Sequence, residues 1–409
     1  MPSFDRIPSP DPSARSSFDG PRDGTFDAGV LDPGEDAPER VAQLRAWLSL
    51  QLSLTFDPER ALECLRRAEG DPVTALALGG SGERPSRREL DACVRSLRRC
   101  GARVLPFVSP GYPELLRQLV DAAPLLFVSG RVEALSKTGV AIVGARAATV
   151  YGLRVARDLG RELARAGVLV VSGLARGIDG AAHEGALEAG GETVAVAACG
   201  PERIYPPEHR GLARRICQRG AIITEFPPGA PPRARHFPLR NRLISGLCRL
   251  TIVVEARERS GSLITARHAL DQSREVMAVP GPIHVPTSWG PNRLIRDGAA
   301  PVLEVDDVLR ELRWNPPEAS EQSRASAPGG VEVPPEENGV AGEILEALAR
   351  EPLTRDELAS RLGRGAEQLS LHLLDLELSE RAVEDRDGRL RLIPRGALSP
   401  RGGRRGAFD

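Results

Sequence analysis

Beyond residue 139 the chain alternates short apolar runs with longer amphipathic stretches. The runs 140–143, 169–172, 193–197, 221–224, 250–255 and 275–279 are rich in Val, Ile, Leu and Ala and hold few polar positions. Strands apolar on both sides must be covered on both faces, and segments with helical spacing, such as 152–166 and 178–189, lie between them. This order predicts a doubly wound, extended Rossmann-like α/β domain built on a parallel sheet over residues 101–313. Upstream, Val41, Leu44, Trp47 and Leu48, then Ala61, Leu62 and Leu65, then Leu90, Val94 and Leu97 recur at helical spacing. Pro58, Gly70-Asp71-Pro72 and Gly79-Gly80 cut this region into short helices, so 39–100 reads as a small helical (SAM-like) domain. Residues 314–338 are rich in Pro, Ser and Glu and read as a linker. Helical patterns over 341–350, 354–362 and 365–381, a polar turn at 385–388 and an apolar run at 390–393 then predict a winged-helix-like domain over 339–395. Its second helix opens with Thr354 and Glu357 at capping-box spacing.

Composition narrows the chemistry. With a formal net charge of -1 the chain has no polycationic coat, so a nucleic acid must be held by a local patch. Lys137 is the only lysine, so nearly all positive charge is guanidinium, which stays ionised and forks onto phosphate oxygens. Lys137 lacks the glycines of a Walker nucleotide loop and precedes a strand, which also argues against a pyridoxal enzyme. Cys64, Cys93, Cys100, Cys199, Cys217 and Cys248 form no zinc or redox spacing and read as small core residues of a reduced, cytoplasmic protein. Residues 1–38 are expected to be a disordered tail without signal-peptide character, and 396–409 a basic one. No apolar run approaches membrane-spanning length, and neither cofactor nor metal is expected.

Ligands of open α/β sheets bind beyond the carboxyl ends of the strands, and four segments fall there. Gly144-Ala145-Arg146 follows the first strand; glycine allows close approach of a ligand, and Arg146 suits phosphate. Gly173, Arg176 and Gly177 lie between the second strand and a helix whose first amides favour an anion, unless Asp179 caps them. His183, four residues after Asp179, reads as a structural His–Asp contact in preference to a general base. The third segment is the most distinctive: between Glu225 and Glu255 stand five arginines (233, 235, 240, 242 and 249) and no acid. It contains Phe237, suited to stacking on a base or to orienting its neighbours Arg240 and Arg242, with Asn241 between them. Ser260-Gly261-Ser262 is the fourth, again hydroxyls and amides at a helix start.

Taken together these segments resemble the DNA-processing protein A (DprA/Smf) family. The resemblance rests on Gly144-Ala145-Arg146, Tyr151-Gly152, Val171 to Asp179, Ala182-His183, Tyr205-Pro206, Thr224-Glu225, Phe237 to Ile244, Val253 to Ala256, Ser260 to Ala266, Ala278 to Gly281 and Gly290 to Ala299, in that order. It spans roughly residues 110–312. Ala145 departs from the family's usual serine, and Glu208-His209 from its acid–Asn pair. The resemblance implies a non-enzymatic protein that binds and protects incoming single-stranded DNA in natural transformation. It also implies a homodimer that helps load the RecA recombinase. The site residues expected from motif and chemistry are Gly144, Arg146, Gly173, Arg176, Phe237, Arg240, Asn241, Arg242, Ser260, Gly261 and Ser262. The expected third helix of the winged-helix-like domain carries Glu367, Asp375, Glu377 and Glu380, which favours a protein contact over groove insertion. A competing enzyme reading, a phosphoribohydrolase-like nucleotide hydrolase, needs an acid soon after the glycine turn; here the next acid is Asp271. A third reading, a scaffold with no ligand, leaves the arginine cluster unexplained.

Overall fold

The computed structural model describes residues 29–314, apart from 36, 55 and 80–83. In the C-terminal part it describes 340–350, 353–365, 381–384 and 389–392, with residues 369, 372, 373 and 376 between them. Contacts divide the chain into two compact units, 1–317 and 318–409.

The first unit opens with four helices, α1 (Pro38–Leu54), α2 (Pro58–Arg67), α3 (Pro72–Leu78) and α4 (Arg87–Cys100). Side chains cap three of them: Asp57 and Asp71 accept amides of α2 and α3, and Ser86 with Glu89 forms a capping box on α4. The strands follow as β1 (Arg103–Pro106), β2 (Leu125–Gly130), β3 (Gly139–Val143), β4 (Leu169–Ser172), β5 (Thr193–Val196), β6 (Ala221–Thr224), β7 (Cys248–Val253), β8 (Glu275–Ala278) and β9 (Ala300–Pro301). Between them lie α5 (Glu114–Arg117), α6 (Val150–Arg165), α7 (Ile178–Glu188), α8 (Arg210–Arg219), α9 (His236–Gly246), α10 (Gly261–Asp271), α11 (Trp289–Arg296) and α12 (Val305–Glu311).

All nine strands form one sheet in the order β1-β2-β6-β5-β4-β3-β7-β8-β9. From β6 to β9 the pairing is parallel, as the apolar runs predicted; β1 and β2 add an antiparallel edge that the pattern did not indicate. Alternate strand residues serve opposite faces. Val140, Ile142, Val170 and Ile252 pack with Ala156, Leu163, Ile178 and Ala182 of α6 and α7. Ala141, Val171, Val196 and Val253 join Leu243 of α9, Ala266 of α10 and the apolar side of α1 to α4 in another continuous core. The N-terminal helices thus share a core with the sheet, and Gln51 Nε2 of α1 donates to the Glu225 carbonyl at 2.7 Å. The expected tail of 1–38 lies mostly outside the described residues, but its end is packed: Leu31 is buried and exchanges both backbone hydrogen bonds with Val104.

In the second unit, helices Val340–Arg350 and Arg355–Leu362 pack with a three-stranded sheet of Leu353–Thr354, Arg389–Leu392 and Ala382–Glu384. Thr354 and Glu357 make the expected capping box. Leu369, Leu373 and Leu376 complete its core; most of the acidic third helix, the polar turn 385–388, the linker 315–338 and the basic tail lie outside the described residues.

Candidate nucleic-acid interface

Sheet order reverses at β3: the chain proceeds outward through β4, β5 and β6, then adds β7 and β8 on the other side of β3. Loops leaving β3 and β7 therefore diverge and open a crevice, the usual ligand position in such sheets. A cleft of about 470 Å³ occupies it, lined by residues after β3, by Arg257, Arg259 to Ser262, Ile264 and Thr265 around the start of α10, and by one face of α9. Four guanidiniums border it, those of Arg146, Arg240, Arg257 and Arg259, against a single carboxylate, Asp179. Arg146, Arg257 and Arg259 are exposed.

Helix α9 decides which of the clustered arginines reach the cleft. His236 anchors its first turn: the imidazole is buried, stacks on Phe226 with ring centroids 4.2 Å apart, and meets the Ala198 carbonyl through Nδ1 at 3.2 Å. Burial lowers the pKa of this histidine. From there Phe237, Arg240, Asn241 and Ile244 follow at helical spacing and line the cleft. Phe237 stands in the first turn of the helix and is half-buried. The Arg146 guanidinium lies over its ring at 4.8 Å, Arg240 at 6.0 Å, and exposed Tyr205 meets it edge-on at 5.7 Å. The ring thus both orients Arg146 and offers an aromatic platform beside it.

Arg240 lines the cleft but is no surface cation. It is 3% exposed, donates through Nη1 to the Val196 carbonyl, and lies beside the Asp179 carboxylate. Burial pulls its pKa down to about 10, against the pull of Asp179, so it is charged at neutral pH. Burial likewise raises the Asp179 pKa, opposed by Arg240 and by the Ala175 and Gly173 amides it accepts, at 3.4 and 3.1 Å. Asp179 therefore fills the anion position expected ahead of α7. Gly173 is glycine because a Cβ there would overlap the Arg240 guanidinium, and Gly144 because one would overlap Ile178; both serve internal packing rather than the approach of a ligand. Gly261 differs: nothing surrounds its Cβ position, and it faces open space at the start of α10. Asn241 Nδ2 donates to the Gly261 carbonyl at 3.2 Å and so joins this turn to α9. Ser260 caps α10, its hydroxyl 2.7 Å from that of Ser262 and 3.4 Å from the Ser262 amide.

Three expected site residues lie elsewhere. Arg242 projects from the other side of α9, is 4% exposed, and pairs with buried Glu225 and with Asp121 at 3.3 Å. Arg176 and Gly173 do not line the cleft, and Arg176 pairs with Glu208 on the surface. His183 does not meet Asp179. Its Nδ1 contacts the Thr193 hydroxyl at 2.6 Å, and burial lowers its pKa to about 3, so it is neutral and structural. Arg257, Arg259 and Tyr205 join the site; Arg257 and Arg259 flank the Ser-Gly-Ser turn, a signal already present in the sequence.

Among the described residues no group of three or more His, Cys, Asp or Glu could hold a metal ion, and no helix is long and apolar enough to cross a membrane. Fold and crevice define a Rossmann-like protein whose switch point is arranged for an anionic ligand. Residues 103–313 match the family model of the DNA recombination-mediator protein A, and residues 331–388 that of the DprA winged helix domain. The chain is 40% identical over 300 residues to the protein Smf of Escherichia coli K12, covering 72% of this chain and 78% of that one. It is 40% identical over 278 residues to the DNA processing protein DprA of Bacillus subtilis, covering 66% and 93%. The X-ray structure of DprA from Streptococcus pneumoniae superposes with a TM-score of 0.57 at 31% identity, over 65% of this chain and 97% of that one. This chain belongs to the DNA processing protein A (DprA/Smf) family.

Proposed function

We propose that this chain binds single-stranded DNA at the switch-point cleft, without strong sequence preference, and acts as a binding protein rather than an enzyme. The observation that carries the reading is the charge balance of the cleft. Its one carboxylate is already engaged by Arg240 and two amides, which leaves Arg146, Arg257 and Arg259 for a polyanion beside an aromatic ring and an open helix start. Phosphates meet the guanidiniums and the Gly261 turn, and a base packs against Phe237 and Arg146. Stacking on the ring and ion pairs to phosphate are both tolerant of sequence. The phosphoribohydrolase reading loses support because the cleft has no carboxylate free for proton transfer.

Family membership supports a wider role. In this reading the protein protects incoming DNA in natural transformation, works in the cytoplasm as a homodimer through its Rossmann-like domain, and helps load the RecA recombinase. The acid-rich segment of the winged helix serves a protein contact. A gel-shift comparison of single- and double-stranded oligonucleotides at graded salt tests the core of the proposal. Single strands are expected to bind more tightly, with affinity falling by a log–log slope of about -0.7 per phosphate contacted. Equal affinity for blunt duplex and single strand at matched salt refutes it.

A further inference from the structure

We infer that a single strand leaving the cleft is held a second time on the N-terminal helices, by the exposed ring of Phe56 together with Arg235 and Arg233. This deepens the proposed function and rests on the cleft being the first station for DNA. Phe56 lies between α1 and α2 and is 56% exposed. A lone exposed phenylalanine needs no explanation. This one has the Arg235 guanidinium over its ring at 4.7 Å and lies 5.9 Å from the imidazole of His236. His236 directly precedes Phe237, so one buried histidine, fixed on Phe226, connects the cleft platform to the Phe56 platform.

Charge points the same way. Arg233 and Arg235 are exposed, and neither has a carboxylate partner among the described residues. Asp57, the acid next to Phe56, places a carboxylate oxygen on the Arg60 amide as the cap of α2. An aromatic face, the Arg235 guanidinium stacked on it and a second cation, Arg233, form the unit that holds one unpaired nucleotide, base on the ring and phosphate on the arginines. The hydrogen bond from Gln51 to the Glu225 carbonyl keeps the platform in register with the sheet.

Length-dependent binding tests this. Affinities for oligothymidylates of about 6 and about 16 nucleotides, a range spanning known single-strand site sizes, are measured for the full chain and for Phe56→Ala, Phe56→Trp and Arg235→Gln. Phe56→Ala is expected to lose on the order of 5- to 100-fold on the longer strand and less than about twofold on the shorter. Phe56→Trp retains binding, and Arg235→Gln lowers the salt slope on the longer strand by about 0.7. Equal loss on both lengths makes Phe56 a support for α9 and overturns the second station, as does no loss on either. A wild-type chain that binds neither length refutes the cleft reading itself, and this inference with it. Should Phe56→Ala melt early, Arg235→Gln, which removes no core group, decides by the same length comparison.

Discussion

Replacing Arg242 by alanine separates charge that serves the fold from charge that serves a ligand. Its side chain is 5% exposed and pairs with Glu225, whose side chain is 4% exposed. Asp121, at 3.3 Å, is the second partner and is more open to water. The truncation leaves the Glu225 carboxylate buried without its counter-ion, which costs about 3–5 kcal/mol. In a unit of this size each kcal/mol lowers the melting temperature by about 2–3 °C, so Arg242→Ala should melt about 6–15 °C early by circular dichroism. The deficit should also depend on pH. Burial raises the Glu225 pKa, with Arg242 opposing, so losing Arg242 raises it further. A carboxyl group with a folded pKa above its unfolded value gains stability as pH falls and loses it as pH rises through the folded pKa. The deficit should therefore be larger at pH 8 than at pH 5, and Glu225→Gln in the same chain should recover much of it. At low temperature, where the variant is folded, single-strand affinity should stay within about threefold, because Arg242 is outside the cleft. Normal melting with lost DNA binding would place Arg242 on the ligand and refute the reasoning; an equal deficit at both pH values would refute the buried-charge account.

Arg146→Ala removes an exposed cleft cation and should weaken single-strand binding by about 1.5–3 kcal/mol in titrations while the melting temperature moves by less than about 2 °C. Unchanged affinity would put the DNA on another surface. Phe237→Leu keeps apolar volume but removes the π-face beneath Arg146, so affinity should fall with near-normal melting; a variant that melts early and binds normally at low temperature would make Phe237 a packing residue only.

The parallel strands were legible because a strand covered on both faces has to be apolar throughout, and β4 and β6 fall on the runs that marked them. A local signal also survived: the capping box of Thr354 with Glu357 needs only residues three apart. The antiparallel edge of β1 and β2 and the docking of Leu31 on Val104 were not legible, since pairing between distant segments leaves no periodic trace in either. The arginine cluster shows the limit most clearly. Sequence displays five cations without an acid, yet Arg240 and Arg242 are balanced by Asp179, Asp121 and Glu225 from other segments. Helix α9 has no side-chain cap at its start, so its phase could not be read from the sequence. That phase puts Phe237, Arg240 and Asn241 toward the cleft and Arg242 away from it. Residue types and their order along the chain were sufficient for the family. Which guanidiniums remain free for phosphate depends on carboxylates that only folding brings within Coulombic reach.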